Sequence, residues 1–243
     1  MRVLAIVQAR MGSTRLPGKV LEDVAGQSML ARVVRRVQRA RQVDRVVVAT
    51  STSPADEAIV AECERLGVAC FRGDERDVLD RFYRAAAHFR APVIVRITAD
   101  CPLIEPQVVD EVVAAFHAAR PDYASNTLER SYPRGLDTEV MSLEALARAW
   151  AEAPEPYHWI HVTPYFYQNP EMFTLLSVRQ ARDDSQQRWT VDTAEDLAFV
   201  RQIYERLGSG GEFDWRDVLD LLDREPGLMG LNRDVRQKGL HEG

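Results

Sequence analysis

Near its start the chain carries an uninterrupted apolar, β-rich run, Val3-Leu4-Ala5-Ile6-Val7, and runs of the same kind recur with amphipathic segments between them. A strand without apolar/polar alternation is buried on both faces, and that excludes most antiparallel sheets with one wet side. The recurring strands are expected at 45–49, 68–71 and 93–97. Between them, Met29, Leu30, Val33, Val34 and Val37 share one helical face, with Arg32, Arg35, Arg36 and Arg39 on the other and Ser28 placed to cap the start. Further helices are expected over 55–66 and 78–89. Alternation of this kind implies parallel strands joined by right-handed helical crossovers. Ligands of such sheets bind beyond the carboxyl ends of the strands. The polar loops after Val7 and after Ile97 should therefore face one crevice.

Past Pro121 the rhythm shortens, with pieces at 136–141, a helix near 143–150, an aromatic stretch Tyr165-Phe166-Tyr167, a helix over 193–207 and a last amphipathic segment, 215–222. The economical reading is one catalytic domain over 1–243. Its first half, to about residue 120, keeps the regular rhythm, and its second, from about 121 to 230, does not. The tail from Arg233 is polar enough to fray.

Composition narrows the function. A net charge of −6 argues against nucleic acid as the partner. Gln8 and Arg10 interrupt the first apolar run too early for a signal core, and no run approaches the roughly 18 residues of a membrane span, so a cytoplasmic location is expected. Three cysteines, Cys63, Cys70 and Cys101, form no close pair, which suits a reducing compartment.

The segment from Gln8 to Lys19 holds two glycines, two hydroxyls and three cations directly after a buried strand. Glycines let backbone N–H groups approach phosphate oxygens, Arg15 can bind bidentately and Lys19 can act as a mobile point charge. It is not a Walker A loop, because five residues separate Gly12 from Gly18 and Val20 stands where a Mg²⁺-binding hydroxyl would be. A basic surface turn is the other reading. Asp100 falls at the carboxyl edge of the strand ending at Ile97, where it can ligate Mg²⁺ or cap a following helix that Pro102 would favour. In Thr190-Val191-Asp192-Thr193-Ala194-Glu195-Asp196, the hydroxyl-then-acid pattern from Thr193 to Asp196 suits a capping box, which leaves Asp192 for metal. The loop containing Asn126, Arg134, Asp137 and Glu139 is dense in hydrogen-bonding groups and could hold sugar hydroxyls or, through Arg134, a carboxylate; it could equally be a solvated loop. His158 and His161 lie at helical spacing with no third ligand nearby, so zinc is not expected; His161 packs a helix or faces substrate.

Together these blocks resemble cytidylyltransferases of the CMP-sugar-acid synthetase superfamily, above all the branch named for spore coat polysaccharide biosynthesis protein F. The resemblance rests on Ile6 to Lys19, Arg72-Gly73, Asp77 to Arg81, Arg96 to Leu103, Ser125-Asn126-Thr127, Gly135-Leu136-Asp137, His161 to Tyr165 and Thr190 to Thr193. Ile160 stands where that branch usually carries Glu. The resemblance implies a three-layer α/β fold of the nucleotide-diphosphosugar transferase type, with a mostly parallel central sheet. It implies CTP on Ala9, Arg10, Met11, Gly12, Ser13, Arg15, Lys19, Arg72, Arg81, Thr98 and Ala99, and Mg²⁺ on Asp100 and Asp192. The acceptor would meet Asn126, Arg134, Asp137, Glu139 and His161.

The expected reaction is transfer of CMP from CTP to a 2-keto sugar acid in surface polysaccharide biosynthesis, with release of pyrophosphate. Lys19, Arg15, Asp100 and Asp192 would do the catalytic work. Another nucleoside triphosphate, a sugar or polyol phosphate acceptor, a related glycosyltransferase and a regulatory nucleotide-binding module are the alternatives. Trp159 to Tyr167 offers apolar surface for a homodimer or for ordinary core packing.

Overall fold

A computed structural model describes residues 2–240; Met1 and the last three residues of the tail lie outside the described residues. Strand β1 (Val3–Gln8) is an interior strand of a seven-stranded sheet and is followed by helix α1 (Met29–Val37), strand β2 (Arg45–Ser51) and helix α2 (Glu57–Leu66). Strand β3 (Ala69–Gly73), helix α3 (Val78–His88) and strand β4 (Val93–Thr98) complete the parallel part. Helix α4 (Pro106–Ala119) then leads to strands β5 (Tyr123–Ser125) and β6 (Glu139–Ser142). Helices α5 (Leu143–Glu152), α6 (Pro156–His161) and α7 (Pro164–Gln168), strand β7 (Leu175–Ser177), and helices α8 (Ala194–Leu207) and α9 (Trp215–Arg224) follow. The sheet order is β3-β2-β1-β4-β6-β5-β7, with β6 antiparallel to both its neighbours and every other pairing parallel.

The doubly buried reading of β1 is realised residue by residue. Val3, Ala5 and Val7 pack into the core layer under α1, α2 and α4, while Leu4 and Ile6 pack under α3, α5 and α7. A third apolar cluster joins Trp189, Val191 and Met29 to α8 and α9. Local signals set the helix ends where expected: Ser28 caps α1 by accepting from the Ala31 N–H, and Thr193 and Asp196 form the capping box of α8. The helix that Pro102 suggested begins instead at Pro106 with Glu105 as its cap, so Asp100 serves no helix.

Three long-range arrangements shape the carboxyl edge of the sheet. Gln8 and Thr98 are register partners at the carboxyl ends of β1 and β4, which places the two polar loops side by side. Arg36, expected on the polar face of α1, is buried and binds carbonyls of Ile104, Gly211 and Phe213 and the Glu105 carboxylate. The tail beyond Asn232 is also held in place, with the buried Asn232 amide donating to the Arg188 carbonyl and to Asp196, 3.0 Å each. Among the described residues of the tail from Arg233, Gln237 accepts from Arg188 and the Arg236 carbonyl from Arg15, so this part of the tail has polar partners that its polarity alone does not reveal.

Candidate active site

The loop after β1 is anchored by a residue that no sequence motif singled out. Asp56, at the entrance of α2, is buried and accepts from the Met11 N–H (2.8 Å), the Ser51 N–H (3.0 Å) and the hydroxyls of Thr50 and Ser51. Burial pushes its carboxyl upward, but the donors of Ser51, Met11 and Thr50 prevail and hold it below the usual aspartate value. Asp56→Ala strands four buried donors. A stability loss of about 3 kcal/mol is expected in urea denaturation, with a slackened loop; a loss under about 1 kcal/mol would show that the loop does not depend on it.

From that anchored loop Lys19 reaches down to the ends of β4 and the segment before α8. Its ammonium donates to Asp100 Oδ2 (2.9 Å), Asp192 Oδ1 (2.9 Å) and the Val191 carbonyl (2.7 Å). Burial disfavours the ammonium, yet the carboxylates of Asp100 and Asp192 outweigh it and keep Lys19 charged beyond the ordinary lysine range. Reciprocally, burial would raise Asp100, but Lys19 brings it down to about 2. The other oxygen of Asp192 pairs with Arg15 and with Arg188, each at 2.9 Å, and Arg188 is in turn held by the fully buried Asp196. Two acids far apart in the chain thus meet on one cation.

These groups border a cleft of about 270 Å³ that also takes in Gln8, Ala9, Arg10, Ser13, Thr98, Ala99, His161 and Lys238. Arg10, Arg15, Lys19 and Lys238 against Asp100 and Asp192 leave an excess of positive charge, which suits a polyphosphate. Among the described residues no group of three or more His, Cys, Asp or Glu is placed to hold a metal, so a cation here would have two protein carboxylates at most. Hard carboxylate oxygens from two residues match the habit of Mg²⁺, whose remaining positions go to phosphate and water.

Beside the cleft, sharing Thr98 with it, lies a pocket of about 390 Å³ lined by Arg96, Thr127, Arg130, Asp137, Glu139, Thr163 and Tyr167. Its cations are already paired. Arg96 and Glu139 face each other as register partners on β4 and β6 and form an ion pair, and Glu139 also accepts from the buried Tyr123 hydroxyl. Arg130 grips Asp137 through two bonds of 2.6 and 2.8 Å. The partition between cleft and pocket passes through Val162, which is fully buried at φ 71° and ψ −54°, a strained conformation for a β-branched residue. The Thr163 N–H closes this turn onto the His161 carbonyl at 2.8 Å, directing His161 to the cleft and Thr163 to the pocket.

Several expected site residues lie elsewhere. Asn126 is wholly buried and bonds the Leu136 carbonyl and the Thr138 N–H, so it shapes the loop and does not face the pocket. Arg134 lines neither cavity; its backbone is clamped between Gln187 and Trp189, where Gly135 is required because a Cβ would stand 2.7 Å from the Trp189 carbonyl carbon. Arg72 spends its guanidinium on the Ser51 and Ser53 carbonyls and on Glu57. Met11 and Gly12 border no cavity wall of the cleft, Met11 contributing its N–H to Asp56. Arg81 is fully buried, with none of its three guanidinium nitrogens hydrogen-bonded, and burial lowers it to about 10. Gly73 leaves it room, since a Cβ there would come within 3.1 Å of Arg81 Cγ. Arg130 belongs to the polar loop expected to meet an acceptor and lines the pocket, whereas Arg96, Arg188 and Lys238 were not expected at the site; of these three only Arg96 lies within a block that carries the resemblance.

Residues 4–211 match the cytidylyltransferase family model. The chain belongs to the cytidylyltransferase family. Spore coat polysaccharide biosynthesis protein SpsF of Bacillus subtilis is 33% identical over 231 residues, which cover 92% of this chain and 95% of that protein. A cytidylyltransferase structure from Leptospira borgpetersenii superposes with a TM-score of 0.91 at 31% identity, covering 98% of this chain and 100% of the other. A CMP:2-keto-3-deoxy-manno-octonic acid synthetase solved with CTP shares the fold, with a TM-score of 0.66 at 20% identity over 85% of this chain and 99% of that one. The fold is therefore the three-layer nucleotide-diphosphosugar transferase type. In this cytidylyltransferase the aromatic stretch divides: Tyr165 and Phe166 belong to the core, whereas Trp159 and Tyr167 are exposed, as is Trp150. No helix among the described residues is long and apolar enough to cross a membrane.

Proposed function

We propose that this cytidylyltransferase moves CMP from CTP to a hydroxyl of a small 2-keto sugar acid and releases pyrophosphate. The observation that carries the reading is the meeting of Asp100 and Asp192 on Lys19 within the cation-rich cleft. The acceptor oxygen would attack the α-phosphorus in line as the bond to the β-phosphate oxygen breaks, so catalysis is mainly positioning and charge neutralisation. Arg10, Arg15 and Lys19 would hold the triphosphate. The carboxylates of Asp100 and Asp192 would hold Mg²⁺. When bound, Mg²⁺ supplies charge neutralisation at the reacting phosphate and lowers the pKa of the attacking hydroxyl. Asp100, at about 2, is far too weak a base to take the acceptor proton near neutral pH.

The adjoining pocket would hold the acceptor, with Thr127, Thr163 and Tyr167 offered to its hydroxyls and Arg130 to its carboxylate. One observation favours a second reading of the acceptor: Arg130 and Arg96 are each already neutralised by an acid, which suits a sugar without a carboxylate. The reading of the nucleotide is tested by thermal shift with the four ribonucleoside triphosphates and Mg²⁺. CTP is expected to raise the melting temperature most, by mass action on the native state. An equal response to all four, or none to CTP, would end the proposal. Pyrophosphate release with sugar acids and with neutral or phosphorylated sugars then separates the two acceptor readings.

A further inference from the structure

The chain contains only two lysines, Lys19 and Lys238, among 31 Lys and Arg residues. Both line the same cleft. Lys238 lies near the end of the described chain, and three contacts seat this part of the tail over the site. Asn232 ties it to Arg188 and Asp196, the pair that buttresses Asp192. Gln237 accepts from Arg188 at 2.6 Å, and the Arg236 carbonyl accepts from Arg15 at 3.3 Å. Lys238 then extends to the loop after β1, its Nζ 3.4 Å from Thr14 Oγ1.

We propose that Lys238 is a further phosphate-binding residue of this cleft, delivered by the tail to the phosphates that depart as pyrophosphate. The inference rests on the CTP reading of the cleft. Lys238 stands on Thr14, whereas the acids that would flank the reacting α-phosphorus are held by Lys19 and Arg15. A cation on Thr14, separate from the Lys19, Asp100 and Asp192 cluster, would meet the β- and γ-phosphates of a triphosphate whose α-phosphorus lies at that cluster. Among the described residues its ammonium has one long contact to a hydroxyl, a poor use of a charge, and an ammonium on a flexible stem can follow a phosphate oxygen more freely than a guanidinium. A tail fixed by a few hydrogen bonds can also give way when pyrophosphate departs, which a strand or helix in the same place could not do.

The test compares CTP with CMP, which lacks the outer phosphates, by calorimetric titration of the wild type, Lys238→Ala and Lys238→Arg in the presence of Mg²⁺. Lys238→Ala is expected to bind CTP about tenfold more weakly and CMP as the wild type does, as suits the loss of one charge-assisted contact, and Lys238→Arg to recover most of the affinity. A second measurement needs no variant: amine acetylation read by peptide mass spectrometry should label Lys238 less in CTP than in CMP. Unchanged CTP affinity in Lys238→Ala, or equal weakening of CTP and CMP, would overturn the role of Lys238 and leave the CTP reading standing. A wild type that binds neither nucleotide would overturn both.

Discussion

Asp100→Asn is expected to slow CTP-dependent pyrophosphate release by about a hundredfold or more while the protein stays folded. Asn has the shape of Asp and can still accept from Lys19, so the substitution removes charge without opening a cavity. What disappears is one of the two acids that fix the Lys19 ammonium and that would hold Mg²⁺ against the reacting phosphate. Asp192 would then be the one carboxylate left where the proposed site has two. The loss should fall mainly on kcat, since Arg10, Arg15 and Lys19 remain to bind the triphosphate. Wild-type turnover in Asp100→Asn would remove this carboxylate from the chemistry.

The same substitution makes a pH prediction whose sign is set by the direction of the shift. The Asp100 carboxyl is depressed from the ordinary 3.8 to about 2, so the stability it contributes is complete above about pH 4 and is lost as pH falls through 2. That contribution amounts to about 2 kcal/mol near neutrality. Without nucleotide or divalent cation, the wild type should therefore melt above Asp100→Asn at pH 6, and the two curves should converge toward pH 2. A gap independent of pH would show that the stabilisation does not come from the charge.

The largest effect on stability is expected at Arg36. Arg36→Met should cost about 3–5 kcal/mol, because it leaves the buried Glu105 carboxylate and the carbonyls of Ile104, Gly211 and Phe213 without their donor. Both charged groups are only 3% exposed, and Glu105 also caps α4 and accepts from the Trp215 N–H. The pair therefore joins α1, α4 and the start of α9. Adding Glu105→Gln to Arg36→Met should return part of the loss, since the second change removes the stranded charge. Denaturation midpoints of the two single variants and the double variant measure this coupling. Additive losses would mean that the two side chains do not interact.

Residues within a few positions of one another carried most of the fold class. The uninterrupted apolar runs, the helical period of 29–37, the Ser28 cap and the Thr193–Asp196 capping box are interactions along the chain, and they stand in the structure where the sequence places them. The glycine- and cation-rich loop and the two acids after strands were also legible, because their residue types sit at the expected edge of a parallel sheet. The pairing of Lys19 with Asp100 and Asp192 was not, nor was Arg96 with Glu139, Arg36 with Glu105, or the return of the tail to the loop after β1. Each depends on strand order and on closing a long stretch of chain, about which hydrophobic period carries no information. The sequence alone thus determined a layered α/β chain with phosphate-binding chemistry at one edge. Which charges share that edge, and which are spent holding it together, was decided by tertiary contacts, because a buried charge takes its partner from whatever the fold brings within reach.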